Sequence, residues 1–242
     1  MANSYFQFKQ FRIEQDICAM KVSTDACVFG AYIPIENAKN IIDIGTGTGL
    51  LALMVAQRAN NCMITAIEID ELAARQATEN TNKSIWHDKI EVIQEAIQNF
   101  KNNKFQYDLA ICNPPFFVNS TLPPNKKQQL AHHTTALSFE ELWDSVDKLL
   151  IENGRFVVLL PLPETQIFSE LGKKYQFFAT KQLSLQDSQT HKPHRFITTY
   201  QKNTNFEANK VLERNNLIIK NIHGKYTNEF ETLLKPYYLY LM

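Results

Sequence analysis

A short apolar strand that runs directly into three closely spaced glycines is the feature that most constrains this chain. Residues 41–44 read Ile-Ile-Asp-Ile. Gly45, Gly47 and Gly49 follow at every second position, and they are three of only seven glycines in the 242 residues. Glycine is needed where φ is positive or where a ligand must approach the backbone closely. The pattern therefore predicts a strand–turn–helix unit with a ligand crevice at the turn.

Strand and helix patterns alternate on both sides of this turn. Short apolar runs predict strands, and longer runs of helix-forming residues with apolar positions three and four apart predict helices. Such alternation favours parallel strands joined by right-handed crossovers, with helices on both faces. We therefore expect an α/β fold with a seven-stranded, mostly parallel sheet. The predicted strands are 41–44, 63–68, 89–93, 107–112, 155–160, 180–185 and 196–201, and the predicted helices are 50–59, 71–82 and 139–150.

Composition and the chain ends favour one globular domain. Hydrophobic residues make up 44% and charged residues 21% of the chain, which excludes a disordered or fibrous protein. No apolar run approaches the ~20 residues that span a bilayer, and the N-terminus lacks the apolar core of a signal peptide, so we expect a cytoplasmic protein without a membrane partner. The single domain, 1–242, is divided into an N-terminal extension over the crevice (1–38), a catalytic core (39–201) and an aromatic C-terminal segment that docks on the core (202–242).

The acids beside the glycine turn indicate the charge of the ligand. A dinucleotide-binding turn has the spacing GxGxxG and directs a helix N-terminus at a pyrophosphate, which a carboxylate would repel. Here the spacing is GxGxG, and Asp43 precedes it. A carboxylate suits a cationic ligand, such as the amino group or sulfonium of S-adenosylmethionine. Glu68 ends the next strand, where an acid can accept hydrogen bonds from both ribose hydroxyls. A tight turn without a ligand is the alternative, and the strand context weighs against it.

The fourth predicted strand ends in a second chemical motif, Asn113-Pro114-Pro115-Phe116. This strand lies beside the first in such a sheet, so both ends face one crevice. Proline has no N–H, which leaves the carbonyls of Asn113 and Pro114 as uncontested acceptors. The turn therefore offers an amide side chain, a backbone carbonyl and the aromatic face of Phe116, and this set suits a planar –NH2 group on a ring, whose two hydrogens are held by two acceptors. An ordinary proline turn is the alternative reading.

These motifs, in this order, resemble the class I S-adenosylmethionine-dependent methyltransferases that act on amino nitrogens. The segments FKQFRIEQDICAMKVSTDACVFGAY, KPHRF and YTNEFETLLKPYYLYLM are similar to those of the bacterial tRNA1(Val) adenine-37 N6-methyltransferase family, and the resemblance covers nearly the whole chain. It implies a Rossmann-like class I methyltransferase fold with S-adenosylmethionine as cofactor. It also implies methylation of the adenine next to the anticodon of tRNA(Val). The rivals are N6-adenine methylation of rRNA or DNA, protein glutamine N5-methylation, and a non-catalytic RNA-binding module.

The resemblance also implies site residues. The catalytic turn is Asn113, Pro114, Pro115 and Phe116, where the family often has tyrosine in place of Phe116. The family usually has an aspartate after the third strand that contacts the adenine amine of the cofactor. Here Ala96 stands at that position, and Glu95, one residue earlier, is the candidate for this contact. The implied cofactor contacts are Lys21, Thr24, Asp25, Asp43, Gly45, Gly47, Gly49, Glu68 and Glu95.

An RNA substrate requires local positive charge, because the formal net charge of the chain is zero. Residues 172–225 hold ten lysines and arginines against three acids, whereas the first 121 residues are slightly acidic. A merely solvated basic face is the alternative. The candidate substrate contacts are Lys9, Arg12, Lys192, His194 and Arg195. We expect a monomer that binds the anticodon loop of tRNA and carries no metal site. The four cysteines are expected to be reduced thiols that are buried or half-buried.

Overall fold

The computed structural model describes residues 3–18, 20–59, 61–102, 104–114, 137–203 and 211–241. The strands are β1 (Tyr5–Gln7), β2 (Arg12–Glu14), β3 (Asn40–Ile44), β4 (Met63–Glu68), β5 (Ile90–Gln94), β6 (Tyr107–Cys112), β7 (Leu150–Leu160), β8 (Phe177–Ser188), β9 (Arg195–Lys202) and β10 (Glu213–Lys220). The helices are α1 (Thr24–Tyr32), α2 (Leu50–Arg58), α3 (Glu71–Asn82), α4 (Phe139–Leu149), α5 (Leu162–Lys174) and α6 (Asn228–Leu234).

The main sheet has the strand order β10-β8-β9-β7-β6-β3-β4-β5. Its strands are parallel except for β9, which runs antiparallel to both of its neighbours, β7 and β8. The predicted α/β class and the mostly parallel sheet are confirmed. The predicted count of seven strands is wrong for the described residues, because β10 adds an eighth strand parallel to β8.

Sheet register brings the predicted motifs to one edge. Ile44, the last residue of β3, pairs with Cys112 at the end of β6 and with Ile67 near the end of β4. Phe196 at the start of β9 pairs with Leu160, the last residue of β7. The carboxyl ends of the parallel strands and the start of β9 therefore share one edge. Ligands of open α/β sheets bind outside this edge.

Alternate strand residues feed two hydrophobic cores, as the period of two requires. Ile41 belongs to the core beneath α1 and α2, and Ile42 to the core beneath α4 and α5. Trp143 lies at the centre of the second core, fully buried and stacked on Phe168 at 4.4 Å. Trp86 is buried in the first core. Both tryptophans therefore pack in the core.

The two ends of the chain meet on the outside of α2. The Lys9 N–H donates to the Tyr237 carbonyl at 2.8 Å, and Phe8 forms an isolated antiparallel bridge with Tyr238. Tyr237 is buried, and its hydroxyl donates to the Met54 carbonyl of α2 at 3.0 Å. The C-terminal segment is thus packed against the helix that follows the glycine turn, and the N-terminal segment is hydrogen-bonded to the C-terminal segment.

Three further observations concern the cysteines, possible metal ligands and possible membrane-spanning helices. All four cysteines are buried, and none of them is joined to another in a disulfide. Within the described ranges no group of three histidine, cysteine or acidic residues is arranged to hold a metal ion. Among the same residues, no helix has the length and apolar character needed to cross a bilayer.

Tyr237→Ala tests the packing of the C-terminal segment. Loss of a fully buried aromatic side chain and its hydrogen bond is expected to lower the free energy of unfolding by about 3 kcal/mol. Tyr240→Ala is the matched control, because Tyr240 is 76% exposed. Urea unfolding of both variants is the measurement, and equal stabilities for the two would show that the segment is not packed on α2.

Candidate active site

The glycine turn between β3 and α2 is held in a left-handed conformation. Gly45, Gly47 and Gly49 have φ values of +71°, +57° and +82°, which side chains other than glycine rarely adopt. A Cβ added at Gly45 or Gly47 would meet nothing within 4 Å, so conformation and not crowding requires glycine there. The space over these two positions is open.

The amides of this turn are directed into the protein. Gly45 and Thr46 donate their N–H groups to the Ile67 carbonyl at 2.9 and 3.0 Å, and Gly47 donates to Glu68 Oε2 at 2.8 Å. Gly49 donates to the Thr46 carbonyl at 2.9 Å. Phosphate sites at helix N-termini depend on free backbone N–H groups. These four amides are already used, so they do not donate to a phosphate.

Two carboxylates flank the turn. Asp43 is fully buried and accepts a hydrogen bond from Thr46 Oγ1 at 2.6 Å. Glu68 is also buried, and its second oxygen, Oε1, accepts the Asp70 N–H at 3.0 Å. Burial is the main reason that the pKa of Asp43 is raised to about 7. The nearby charge of Glu68 also raises this pKa, whereas the hydrogen bond from Thr46 lowers it. No lysine or arginine among the described residues forms an ion pair with either acid, so the pair suits a cationic ligand.

Asn113 follows β6 at the same edge. Its side-chain oxygen Oδ1 is buried and has no hydrogen-bond partner among the described residues. An unsatisfied buried acceptor costs about 1–3 kcal/mol, which a ligand N–H would recover. Pro114 is buried beside it. The two remaining predicted catalytic residues, Pro115 and Phe116, lie outside the described residues.

Three predicted ligand contacts also contact one another. His194 Nε2 lies 3.2 and 3.3 Å from the two carboxylate oxygens of Asp25, at the start of α1. Arg195 Nε is 3.9 Å from Asp25 Oδ2, and its Nη1 donates to the His194 carbonyl at 3.0 Å. His194 Nδ1 is 3.8 Å from Asp187 Oδ2. This Asp25–His194–Arg195 cluster fastens the N-terminal segment to the start of β9.

Two buried side-chain amides of α3 were not predicted from the sequence. Asn80 Nδ2 donates to the Thr48 carbonyl of the glycine turn at 2.9 Å, and Asn80 Oδ1 accepts the Glu14 N–H at 2.9 Å. Gln76 Oε1 accepts the Cys18 N–H at 3.0 Å. Both amides therefore hold the N-terminal segment beside the turn. Their spacing of four residues on the face of Ala73 and Ala77 was the available signal.

The same helix shows why those amides were missed. Hydrophobicity alone favours Leu72 for the buried side of α3 with Ala73 and Ala77, but Leu72 is 49% exposed. The buried face carries Gln76 and Asn80 in its place. Leu72 and the neighbouring Ile69, which is 57% exposed, instead present apolar surface just after Glu68.

The other predicted cofactor and RNA contacts do not join the Asp25–His194–Arg195 cluster. Lys21 and Thr24 are exposed near the start of α1, and the Glu95 N–H donates to the Glu68 carbonyl at 2.9 Å. Lys9 Nζ donates to the Lys235 carbonyl at 2.6 Å, and Arg12 pairs with Glu14 at 2.8 Å. Lys192 is exposed in the turn between β8 and β9.

Asp43→Asn is expected to change the pH dependence of stability. Because the folded-state pKa of Asp43 is raised to about 7, from about 3.9 when unfolded, the ligand-free protein loses stability as pH rises between these values. Asparagine removes that loss. Three pKa units correspond to roughly 4 kcal/mol, so the variant should gain up to this amount over wild type by pH 8 and little at pH 4. Urea unfolding from pH 4 to pH 8 measures the difference, and a difference independent of pH would contradict the assignment.

A double-mutant cycle tests the Asp25–His194–Arg195 cluster. Asp25→Asn and His194→Ala remove the same contact, so their effects on the free energy of unfolding should not add. The expected coupling is about 1 kcal/mol. Additive losses in the double variant would show that the contact does not fasten the two segments.

Comparisons with known proteins identify the fold and the family. Residues 19–145 match the family model described as "Methyltransferase small domain". The fold resembles a predicted O-methyltransferase from Agrobacterium tumefaciens, with a TM-score of 0.68, 15% identity and coverage of 89% of this chain and 98% of that one. A putative class I S-adenosylmethionine-dependent methyltransferase from Listeria monocytogenes gives a TM-score of 0.59 at 14% identity, covering 82% and 68%. These structures share the fold.

Sequence relatives are closer. A protein of Dyadobacter fermentans is 41% identical over 237 residues, which cover 98% of each chain, and one of Bacteroides thetaiotaomicron is 38% identical over the full length of both. Each is named tRNA1(Val) (adenine(37)-N6)-methyltransferase. A Trichodesmium erythraeum protein of the same name is 39% identical over 99% of each chain. This chain belongs to the tRNA1(Val) (adenine(37)-N6)-methyltransferase family.

Proposed function

We propose that this protein transfers a methyl group from S-adenosylmethionine to the N6 amino group of adenine in tRNA, at adenosine 37 beside the anticodon of tRNA(Val). The observation that carries the proposal is the buried, unpaired Oδ1 of Asn113 at the edge that also holds Asp43 and Glu68. The unpaired amide oxygen suits an amino group, and the two acids suit a cationic cofactor. Membership of the family supplies the substrate.

The cofactor site is assigned to the residues around the glycine turn. S-adenosylmethionine supplies an electrophilic methyl group on a sulfonium. Asp43 and Glu68 provide the negative charge that its cationic groups require, and each oxygen of Glu68 has a further lone pair for a ribose hydroxyl. Gly45 and Gly47 leave room above the turn. Lys21, Thr24, Asp25 and Glu95 are proposed as further contacts.

The catalytic turn acts by positioning. Asn113 Oδ1 and the Pro114 carbonyl accept the two hydrogens of the adenine amino group. These hydrogen bonds hold the nitrogen in line for attack and favour its tetrahedral geometry. No strong base is needed, since the nitrogen loses its proton after it has formed the new bond. Phe116 is proposed to stack on the adenine, with Pro115 fixing the turn.

A tRNA loop lowers the cost of presenting this adenine. Removing a base from a duplex costs a few kcal/mol, whereas an anticodon-loop base is already unpaired. We therefore propose that a monomer of this protein binds the anticodon loop, in the cytoplasm where tRNA is modified.

Asn113→Ala tests the proposal directly. Loss of one acceptor to the transition state is expected to cost about 2–4 kcal/mol, or roughly 30- to 1000-fold in turnover. The measurement is N6-methyladenosine formed in tRNA from isotopically labelled S-adenosylmethionine, quantified by nucleoside mass spectrometry.

Asn215→Ala is the control, because Asn215 is exposed in the edge strand β10. The cofactor dissociation constant of both variants should match wild type by calorimetry. Normal turnover of Asn113→Ala would remove Asn113 from this role. Labelled glutamine in protein, with no labelled adenosine, would refute the proposed substrate.

A further inference from the structure

Two neighbouring turns extend beyond the edge that carries Asn113. The first connects β8 to β9, and the second connects β10 to α6. Register pairs Lys220, at the end of β10, with Ser188, at the end of β8, so the two turns leave the sheet side by side. Both point away from the protein at the same end as the proposed active site.

These turns are rich in cations and contain no acid. Residues 188–194 read Ser-Gln-Thr-His-Lys-Pro-His, and residues 220–227 read Lys-Asn-Ile-His-Gly-Lys-Tyr-Thr. Lys192, Lys220 and Lys225 are exposed, and none forms an ion pair within the described part of the chain. His191 and His223 are exposed beside them. We call these five residues the two-turn surface.

Other cations of the same basic stretch behave differently. Lys173 pairs with Glu170 at 2.7 Å, Lys181 with Glu213 at 3.4 Å, and Lys202 with Asp147 at 2.9 Å. All three lysines lie towards the opposite edge of the sheet, where β8 begins and β9 ends. Lys174 and Arg214 are also exposed near that opposite edge. Within the described residues of this stretch, three exposed lysines without an ion pair therefore lie at the end that carries the proposed active site, and two such cations lie at the other end.

The turns are ordered by their own hydrogen bonds. Asn221 Oδ1 accepts the N–H groups of His223 and Lys225 at 2.9 and 3.2 Å. Ser188 Oγ is 2.8 Å from His191 Nδ1, and the His191 N–H donates to the Ser188 carbonyl at 3.1 Å. A preformed surface loses less conformational entropy on binding than a flexible one.

The distance to Asn113 identifies which part of the RNA is contacted. β9, β8 and β10 lie two, three and four strands from β6, and neighbouring strands are about 4.8 Å apart, so the turn between β8 and β9 is about 10–14 Å from β6 and the end of β10 about 19 Å. Stacked nucleotides rise about 3.4 Å each, so these separations correspond to on the order of three to five nucleotides. The surface therefore faces phosphates several nucleotides away from the target adenosine.

We infer that the two-turn surface binds phosphates of the RNA helix next to the loop that carries the target adenine. This inference rests on the proposed function. His194 and Arg195, two of the predicted RNA contacts, lie against Asp25 at the base of the first turn. Lys220 and Lys225, which belong to the predicted basic stretch, add to the predicted contact Lys192.

The test is the triple variant Lys192→Ala, Lys220→Ala and Lys225→Ala. A lysine–phosphate contact contributes about one to the slope of log affinity against log salt, so the slope for unfractionated tRNA should fall by about 2–3. The affinity at 0.1 M salt should fall by about tenfold or more. The KM for tRNA should rise, while turnover at saturating tRNA and cofactor affinity stay at wild-type values.

The matched control is Lys104→Ala, Lys174→Ala and Arg214→Ala, which removes three exposed cations near the opposite edge. It should bind tRNA as wild type does. Equal salt slopes for the two triple variants would overturn the inference, as would a loss of turnover at an unchanged KM. If wild type binds tRNA but forms no N6-methyladenosine, the proposed function fails, and the comparison of slopes still decides the inference.

Discussion

The hydrogen bond from the Gly47 N–H to Glu68, together with the two amides donated to Ile67, fixes the geometry on which the site depends. These hydrogen bonds join the turn after β3 to the end of β4 and use three backbone donors that could otherwise bind a phosphate. The crevice then presents two carboxyl groups to a ligand, those of Asp43 and Glu68, which flank the turn. A left-handed backbone, possible because residues 45, 47 and 49 are glycine, is the condition for this arrangement.

The remaining parts of the site are positioned against that turn. Asn80 connects the turn to the N-terminal segment, and Asp25 connects the same segment to His194 before β9. The sheet places Asn113 at the same edge through the pairing of Ile44 with Cys112. Residues distant in sequence thus meet around one crevice through buried polar contacts. The antiparallel strand β9 has a functional consequence, because it brings the turn with Lys192 to the edge that carries the active site.

Elements with a strong local signal were predictable. The bounds of β4, α3 and β6 agree with the sequence prediction, since apolar strands and the Asp70 N-cap mark them locally. Helix α1 gave no such signal because six of its nine residues are buried, which removes amphipathic periodicity. β10 begins with four exposed polar residues and does not read as a strand. The contact of Asp25 with His194 spans 169 residues and no local pattern encodes it.

The central claim is that the acids at the glycine turn bind a cation, and proton release on cofactor binding tests it most directly. Calorimetric titration with S-adenosylmethionine at pH 6.5, in two buffers of different ionisation enthalpy, measures the number of protons exchanged. With the pKa of Asp43 at about 7 in the free protein, a bound cation that ionises this group should release roughly three-quarters of a proton. The Asp43→Asn variant should release none. Binding to the wild-type protein without proton release would contradict the account.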